Sequence, residues 1–175
     1  ITGLNASNAI LAALIHKMKT GEARNIDISL WDSAIAALVN QAHNALASGK
    51  NPLRMGSAHP NLVPYRAFQA SDGWFVIGVG SDNQWTQLCE HLELENQENW
   101  HTNAGRIADR DNIESIVGEI VGKYDRQTLE RLLEGVPCAP VNTITEALND
   151  QQSVARGVVT DYNGVQVLAS PLRFY

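Results

Sequence analysis

The stretch Ser71-Asp72-Gly73-Trp74-Phe75-Val76-Ile77-Gly78-Val79-Gly80-Ser81-Asp82-Asn83-Gln84-Trp85 decides the fold. Ser71-Asp72-Gly73 has turn composition. The apolar run Trp74 to Val79 that follows, closed by Gly80-Ser81, reads as a central strand. Ser81 and Gln84 have the capping-box spacing, in which the serine accepts from an early helix amide and the glutamine reaches back. A helix through Leu88, Cys89 and Leu92 is therefore expected to start there. A strand running straight into a capped helix places this part of the chain in the mixed α/β class.

Reading onward, Glu93 to Arg110 is polar and contains Trp100 and His101, which predicts a loop with short helical turns. Asp111 and Glu114 repeat the capping spacing ahead of an amphipathic helix carrying Ile113, Ile116, Val117, Ile120, Val121 and Tyr124. Asp125 caps a short helix with Leu129, Leu132 and Leu133 inward and Gly135 as its C′ residue. Val136 to Val141, with Pro137 and Pro140, suits an edge strand. Thr143 and Glu146 form another capping box. Asn163-Gly164 between Val158–Tyr162 and Val165–Leu168 is a type I′ hairpin signal, because both turn residues tolerate positive φ.

Toward the start of the chain, Ala6, Ala9, Ile10, Ala13, Leu14 and Met18 recur at helical spacing from Asn5 to Lys19. Leu11, Ala12 and Ile15 fill much of the remaining circumference, so this helix is expected to be covered on most sides. Gly21 is its stop, Ile26-Asp27-Ile28-Ser29-Leu30 alternates as a half-buried strand, and Ile35, Leu38, Ala42, Ala45 and Leu46 form the stripe of one long helix ending near Ser48-Gly49. Three prolines, a glycine and several polar residues between Asn51 and Arg66 make that segment the expected domain boundary.

Composition excludes several functions. The 175 residues carry 19 acidic against 13 basic side chains, a net charge of -6, with 44% hydrophobic and 18% charged residues. That is too apolar for intrinsic disorder, and no run approaches the roughly 20 apolar residues of a bilayer span. The acidic balance and the lack of a Lys/Arg cluster argue against a nucleic-acid surface. Cys89 and Cys138 show no metal-ligand or redox spacing and read as buried reduced thiols of a cytoplasmic protein. The run Ala9 to Ile15 has no basic region before it and no small-residue cleavage site after it, so it does not read as a secretory leader.

Motif chemistry is sparse. Gly78-Val79-Gly80-Ser81 lacks the third glycine of a dinucleotide fingerprint, and Asp82 would put a carboxylate where a pyrophosphate should lie. There is no P-loop, HExxH, GxSxG or EF-hand pattern, and the histidines at 16, 43, 59, 91 and 101 are never paired at i, i+4. His59 stands out, because Gly56-Ser57-Ala58-His59-Pro60-Asn61 leads through Val63-Pro64-Tyr65 as a proline-stiffened loop rich in polar side chains. Such loops often line pockets, although prolines that merely route the chain explain it equally well. Asp82, at a helix start after a central strand, is either a dipole-facing structural carboxylate or a pocket residue.

Together these stretches resemble the class III CoA-transferases, the family that includes formyl-CoA:oxalate and carnitine CoA-transferases and the α-methylacyl-CoA racemases. The resemblance is carried by Thr2-Gly3-Leu4, Lys19-Thr20-Gly21-Glu22 with Ile26 to Leu30, Gly56 to Tyr65, Phe68, Asp72-Gly73 and Gly78 to Trp85. Gly135 to Asn142, Glu146-Ala147, Asp150, Ala155-Arg156-Gly157 and Ser170-Pro171-Leu172-Arg173-Phe174 complete it in order along nearly the whole chain.

The resemblance implies a longer enzyme with a large Rossmann-like domain built from both termini, a smaller α/β domain in the middle, and two interlocked subunits. On that pattern residues 1–30 are a remnant of the large domain, 31–62 a linker helix and boundary loop, 63–154 the small α/β domain, and 155–175 a return segment with the hairpin. It also implies that an aspartate attacks an acyl-CoA thioester, and that transfer runs through a mixed anhydride and an aspartyl-CoA thioester. That aspartate is expected upstream of the motif at which Ile1 stands, so no catalytic residue is assigned within the chain, which is expected to be inactive alone.

The segment Asn51 to Tyr65 takes the place of the family's mobile loop over the reaction centre, without the glycine-rich run of some members. Asp82 stands near a glutamate of the racemases and is its shorter counterpart. The substrate-pocket candidates are His59, Asn61, Tyr65, Asp82 and Gln84. The implied substrates are a coenzyme A thioester and a small carboxylic acid, with no covalently bound cofactor and no metal. A homodimer or a missing large-domain partner is expected, with neither nucleic acid nor membrane. Racemase chemistry, by proton removal α to the thioester, and a non-catalytic truncated interaction module are the alternatives.

Overall fold

Phe75, Ile77 and Val79 alternate inward along the predicted central strand, and all three are fully buried. The structure, a computed structural model, describes residues 1–174. Contacts divide the chain into two units, Ile1–Met55 and Gly56–Tyr175.

The second unit holds the core. Strands β1 (Tyr65–Ala70), β2 (Gly73–Gly78) and β3 (Cys138–Pro140) form an antiparallel sheet in that order, so β2 is central and the proline-containing β3 is an edge. Phe68 lies opposite Phe75, and Ala70 opposite Gly73. Helix α4 (Asp82–His91) contributes Trp85, Leu88 and Cys89 to the core, and α5 (Asn103–Ala108) follows a short 3-10 turn at Glu98–Trp100. Helix α6 (Arg110–Val121) buries Ile113, Val117 and Val121, one residue per turn. Helix α7 (Arg126–Leu132) adds Leu129, and Leu133 just beyond it is buried as well. Helices α8 (Ile144–Asn149) and α9 (Gln151–Ala155) then lead to a separate hairpin, β4 (Val159–Tyr162) and β5 (Val165–Leu168). Asn163 and Gly164 both have positive φ, as a type I′ turn requires.

In the first unit, α1 (Thr2–Thr20) ends at Gly21 in the left-handed conformation. No residue of α1 is buried, and Leu4, Ile10, Leu11, Leu14, Ile15 and Met18 are all exposed. The broad cover expected for this helix is thus not provided by the described residues.

Four further expectations need correction. Ile26 to Leu30 forms no strand: among the described residues nothing pairs with it, and a lone strand leaves its ladder hydrogen bonds unmade. Ser29 instead caps α2 (Leu30–Ala36) by accepting from Asp32 N. The single long helix is two, α2 and α3 (Asn40–Ser48), separated where Leu38 N and Val39 N bond three residues back and Val39 takes a φ of 46°. Asp111 does not cap α6, which begins at Arg110, and Glu114 turns inward to two arginines. The irregular segment ends earlier than Arg66, because Tyr65 already opens β1.

The capping reading holds elsewhere. Ser81 Oγ accepts from Gln84 N, while Gln84 Oε1 accepts from Gly80 N, one residue further back than a capping box requires. Thr143 and Glu146 make both bonds of a complete capping box. Glu146 also meets Arg126 at 3.1 Å, and Arg126 reaches Asp72 and the Val141 carbonyl, tying the β1–β2 turn to the exit of β3.

The Thr143 backbone N–H, and after it the Arg126 guanidinium, hold the Glu146 carboxyl down from 4.5 to about 2. A depressed carboxyl pKa stabilises above the unfolded value and loses that contribution as pH falls through the folded one. The start of α8 should therefore loosen between pH 4.5 and about 2. Thermal unfolding of Glu146→Gln across that window should show a shallower pH dependence than wild type; equal slopes would refute the assignment.

Candidate functional site

The loop at residues 56–64 is not itself a strand, yet its backbone is fastened at several points. Ser57 Oγ accepts from Ala67 N at 3.1 Å, and His59 N donates to the Tyr65 carbonyl at 2.8 Å. The His59 ring stacks on Tyr65 with centroids 5.2 Å apart and planes at 21°. His59 Nδ1 accepts from Asn61 N at 3.1 Å, which assigns the proton of the neutral ring to Nε2. The Tyr65 ring in turn lies over Gly78, where an added Cβ would come within 3.2 Å of it.

Three side chains from the α5–α6 region hold this loop from behind. Asn103 Nδ2 donates to the Asn61 carbonyl at 2.8 Å, and its Oδ1 accepts from Val63 N at 3.3 Å. Arg106 Nε donates to the Val63 carbonyl at 2.8 Å, and Arg110 Nη2 to the Pro60 carbonyl at 3.0 Å. Arg106 is 0% exposed. It also donates to the Trp100 carbonyl at 2.8 Å and to Asp82 Oδ1 at 2.9 Å, and its guanidinium lies 5.4 Å from the Trp85 ring centroid. Trp85 meets Trp100 edge to face. A buried guanidinium left unpaired costs on the order of several kcal/mol, so these partners are a condition of the fold.

Arg110 has its own counter-charge. Glu114, 9% exposed, accepts from Arg110 at 3.1 Å and from Arg66 at 2.7 Å. One carboxylate thereby joins the loop's clamp to strand β1.

Of the five predicted pocket residues, His59, Asn61 and Tyr65 stand together on or beside the loop. Asp82 reaches the same network only through Arg106, with its carboxylate otherwise open to solvent. Gln84 is engaged at the start of α4 by Gly80 N. Asn103, Arg106 and Arg110 escaped the sequence reading. Arginine is almost always exposed unless paired, and nothing in a polar segment announces a buried one.

Burial pushes the Cys89 thiol up to about 11, against a smaller opposing pull from Arg106, and burial also raises Cys138. Neither is a thiolate nucleophile at neutral pH. Among the described residues no group of three His, Cys, Asp or Glu side chains could hold a metal ion. A separate cleft of about 400 Å³ lies between α8, α9 and the hairpin, lined in part by Leu148, Val154, Val158 and Gln166 and by none of the five candidates. No helix among the described residues is long and apolar enough to cross a membrane.

The mixed α/β fold is shared with a known family. The model of CoA-transferase family III matches residues 1–174, and the chain belongs to that family. It is 38% identical to succinate–glutarate CoA-transferase of Agrobacterium fabrum over 165 residues, 91% of this chain and 41% of that protein. It is 35% identical to succinyl-CoA:mesaconate CoA-transferase of Haloarcula hispanica, covering 87% of this chain and 39% of the relative. A crystal structure of a CaiB/BaiF family protein from Brucella suis superposes with a TM-score of 0.76 at 42% identity, over 99% of this chain and 47% of that one. The chain thus spans about two fifths of the length of these enzyme relatives.

Two outcomes follow from the site. A Cβ at Gly105 would overlap the Asn99 carbonyl oxygen, beside the turn that presents the Trp100 carbonyl to Arg106. Gly105→Ala should cost about 1–3 kcal/mol in urea unfolding, as overpacking does; unchanged stability would show that the turn yields freely. Both cysteines should react with a thiol reagent at pH 8 far more slowly in the native protein than in urea. Rapid native labelling of Cys89 would contradict its burial.

Proposed function

We propose that this chain is the small-domain portion of an enzyme that transfers coenzyme A between an acyl-CoA and a short dicarboxylic acid. The observation that carries the reading is the family match from residue 1 to 174. The acid class follows the two relatives named for succinate with glutarate and for succinyl-CoA with mesaconate. In this reading residues 1–30 belong to the larger domain, 31–62 link, 63–154 form the small domain and 155–175 return. Tyr175 falls outside the described residues.

Within that enzyme the loop at 56–64 borders the reaction centre, with His59, Asn61 and Tyr65 as the groups it brings there. The chemistry is nucleophilic carboxylate catalysis. An aspartate oxygen attacks the thioester carbonyl, the C–S bond breaks, and CoA leaves as the thiolate. The thiolate then attacks the aspartyl carbonyl of the anhydride and frees the first acid. The acceptor carboxylate attacks the resulting aspartyl-CoA thioester and forms a new anhydride. CoA thiolate, expelled in that step, finally attacks the acceptor's acyl carbon and restores the aspartate.

This reading assigns that nucleophile to none of the residues described here. Both cysteines are held protonated, and Asp82 is committed to Arg106. In this reading the attacking aspartate belongs to the larger domain, and the 175-residue chain does not carry out transfer by itself. The uncovered apolar surface of α1 supports assembly with the larger domain or a second copy. The two free thiols suit a cytoplasmic setting.

The test compares the 175-residue chain with the same chain joined to the coding sequence upstream of Ile1, using succinyl-CoA and a panel of dicarboxylates. The extended enzyme should form the acceptor's CoA thioester and the short chain should not. Transfer by the short chain would refute its inactivity. Absence of transfer with deuterium uptake at the α-carbon would replace the reading with racemase chemistry.

A further inference from the structure

We propose that Asn103, Arg106 and Arg110 are positioning residues, a three-pronged clamp that sets the backbone of the loop at 56–64 and through it the placement of His59. The inference rests on the reading above, in which that loop borders the reaction centre.

Asn103 and Arg106 lie three residues apart on α5, and Arg110 opens α6 after the break at Asp109. Each takes a different loop carbonyl: Arg110 that of Pro60, Asn103 that of Asn61, Arg106 that of Val63. Asn103 also accepts the Val63 amide. Backbone groups that a strand would satisfy with neighbouring backbone are here satisfied by side chains, two of them cationic and so making the stronger, charge-assisted bonds. The counter-charges lie on other elements. Asp82 neutralises Arg106 from the start of α4, and Glu114 neutralises Arg110 while sharing itself with Arg66 of β1. The loop is thereby referenced to the end of the central strand and to the edge of the sheet at once.

His59 is tied to the loop and to its exit. Its Nδ1 takes the Asn61 amide, and its ring rests on Tyr65. Moving the carbonyls of residues 60, 61 and 63 therefore moves His59 with the loop. Asp82 acquires a defined part as the counter-charge of the clamp. A loop held in place before substrate arrives loses less entropy in the productive complex, and misplacement by about 1 Å can cost about 100-fold in rate.

The experiment uses the full-length enzyme with Asn103→Ala, Asp82→Asn and Arg106→Lys. Asn103 is half-buried and Asp82 exposed, so the first two variants remain informative if the third fails to fold. Steady-state transfer and amide hydrogen exchange are measured on each. Asn103→Ala should lower kcat by about 10- to 100-fold with the KM for acyl-CoA within about twofold of wild type. Exchange should quicken at residues 60–63 and stay unchanged at 75–79. Asp82→Asn should move both readouts in the same direction by less, and Arg106→Lys should retain part of the activity. Wild-type kcat and loop exchange in both Asn103→Ala and Asp82→Asn would overturn the clamp. So would a kcat loss accompanied by faster exchange throughout β2, the mark of general destabilisation. A wild-type enzyme that transfers no CoA would refute the reading of function instead, and loop exchange in the variants would still decide the clamp.

Discussion

The Arg106 guanidinium lies in the interior with a single carboxylate beside it, and the architecture around it follows from the need to satisfy a buried cation. Its three donor nitrogens go to the Val63 carbonyl, the Trp100 carbonyl and Asp82. Each of those acceptors fixes a different piece of chain. Val63 fixes the end of the loop at 56–64, Trp100 the turn before α5, and Asp82 the junction of β2 and α4. Trp85 closes the remaining side with its ring face. Displacing the Val63 or Trp100 carbonyl would leave a buried donor unpaired, a larger penalty than the gain from an ordinary hydrogen bond.

This constraint explains how an irregular segment is held against the core. Loops usually run over the surface because buried backbone polar groups need partners. The segment at 56–64 solves the problem with side chains supplied from α5 and the start of α6, and so can sit against the core: Val63 is 0% exposed, while Asn61 remains at the surface. The Glu114 bridge between Arg66 and Arg110 extends the same solution to β1.

Much of this was legible in the sequence where a local rule decides the outcome. The apolar run at Trp74–Val79, the Asn163-Gly164 turn and the Thr143–Glu146 box depend on neighbours a few residues away, and each formed as read. The failures share a cause, since they turn on partners distant in sequence. Strand β1 was hidden because Arg66 occupies a core-facing position beside Phe68 and Ala70 and spoils the apolar alternation; its charge is taken up by Glu114, 48 residues away. Glu114 mimicked a capping glutamate for the same reason. Ile26 to Leu30 alternates as a strand should, but a strand needs a neighbour, and none is present among the described residues. Of the candidate site, the loop and its His59, Asn61 and Tyr65 were readable from composition. The arginines that hold it were not, because burial of a cation is a property of the assembled fold.

The central claim is that Asp82 and Asn103 act on the loop through one network joined by Arg106. A double-mutant cycle in native-state hydrogen exchange at the Val63 amide tests it most directly. The account predicts that Asp82→Asn and Asn103→Ala are coupled there by about 0.5–3 kcal/mol, as residues of one hydrogen-bonded network are. Effects that simply add would mean that Asp82 and the loop are held independently, and would contradict it.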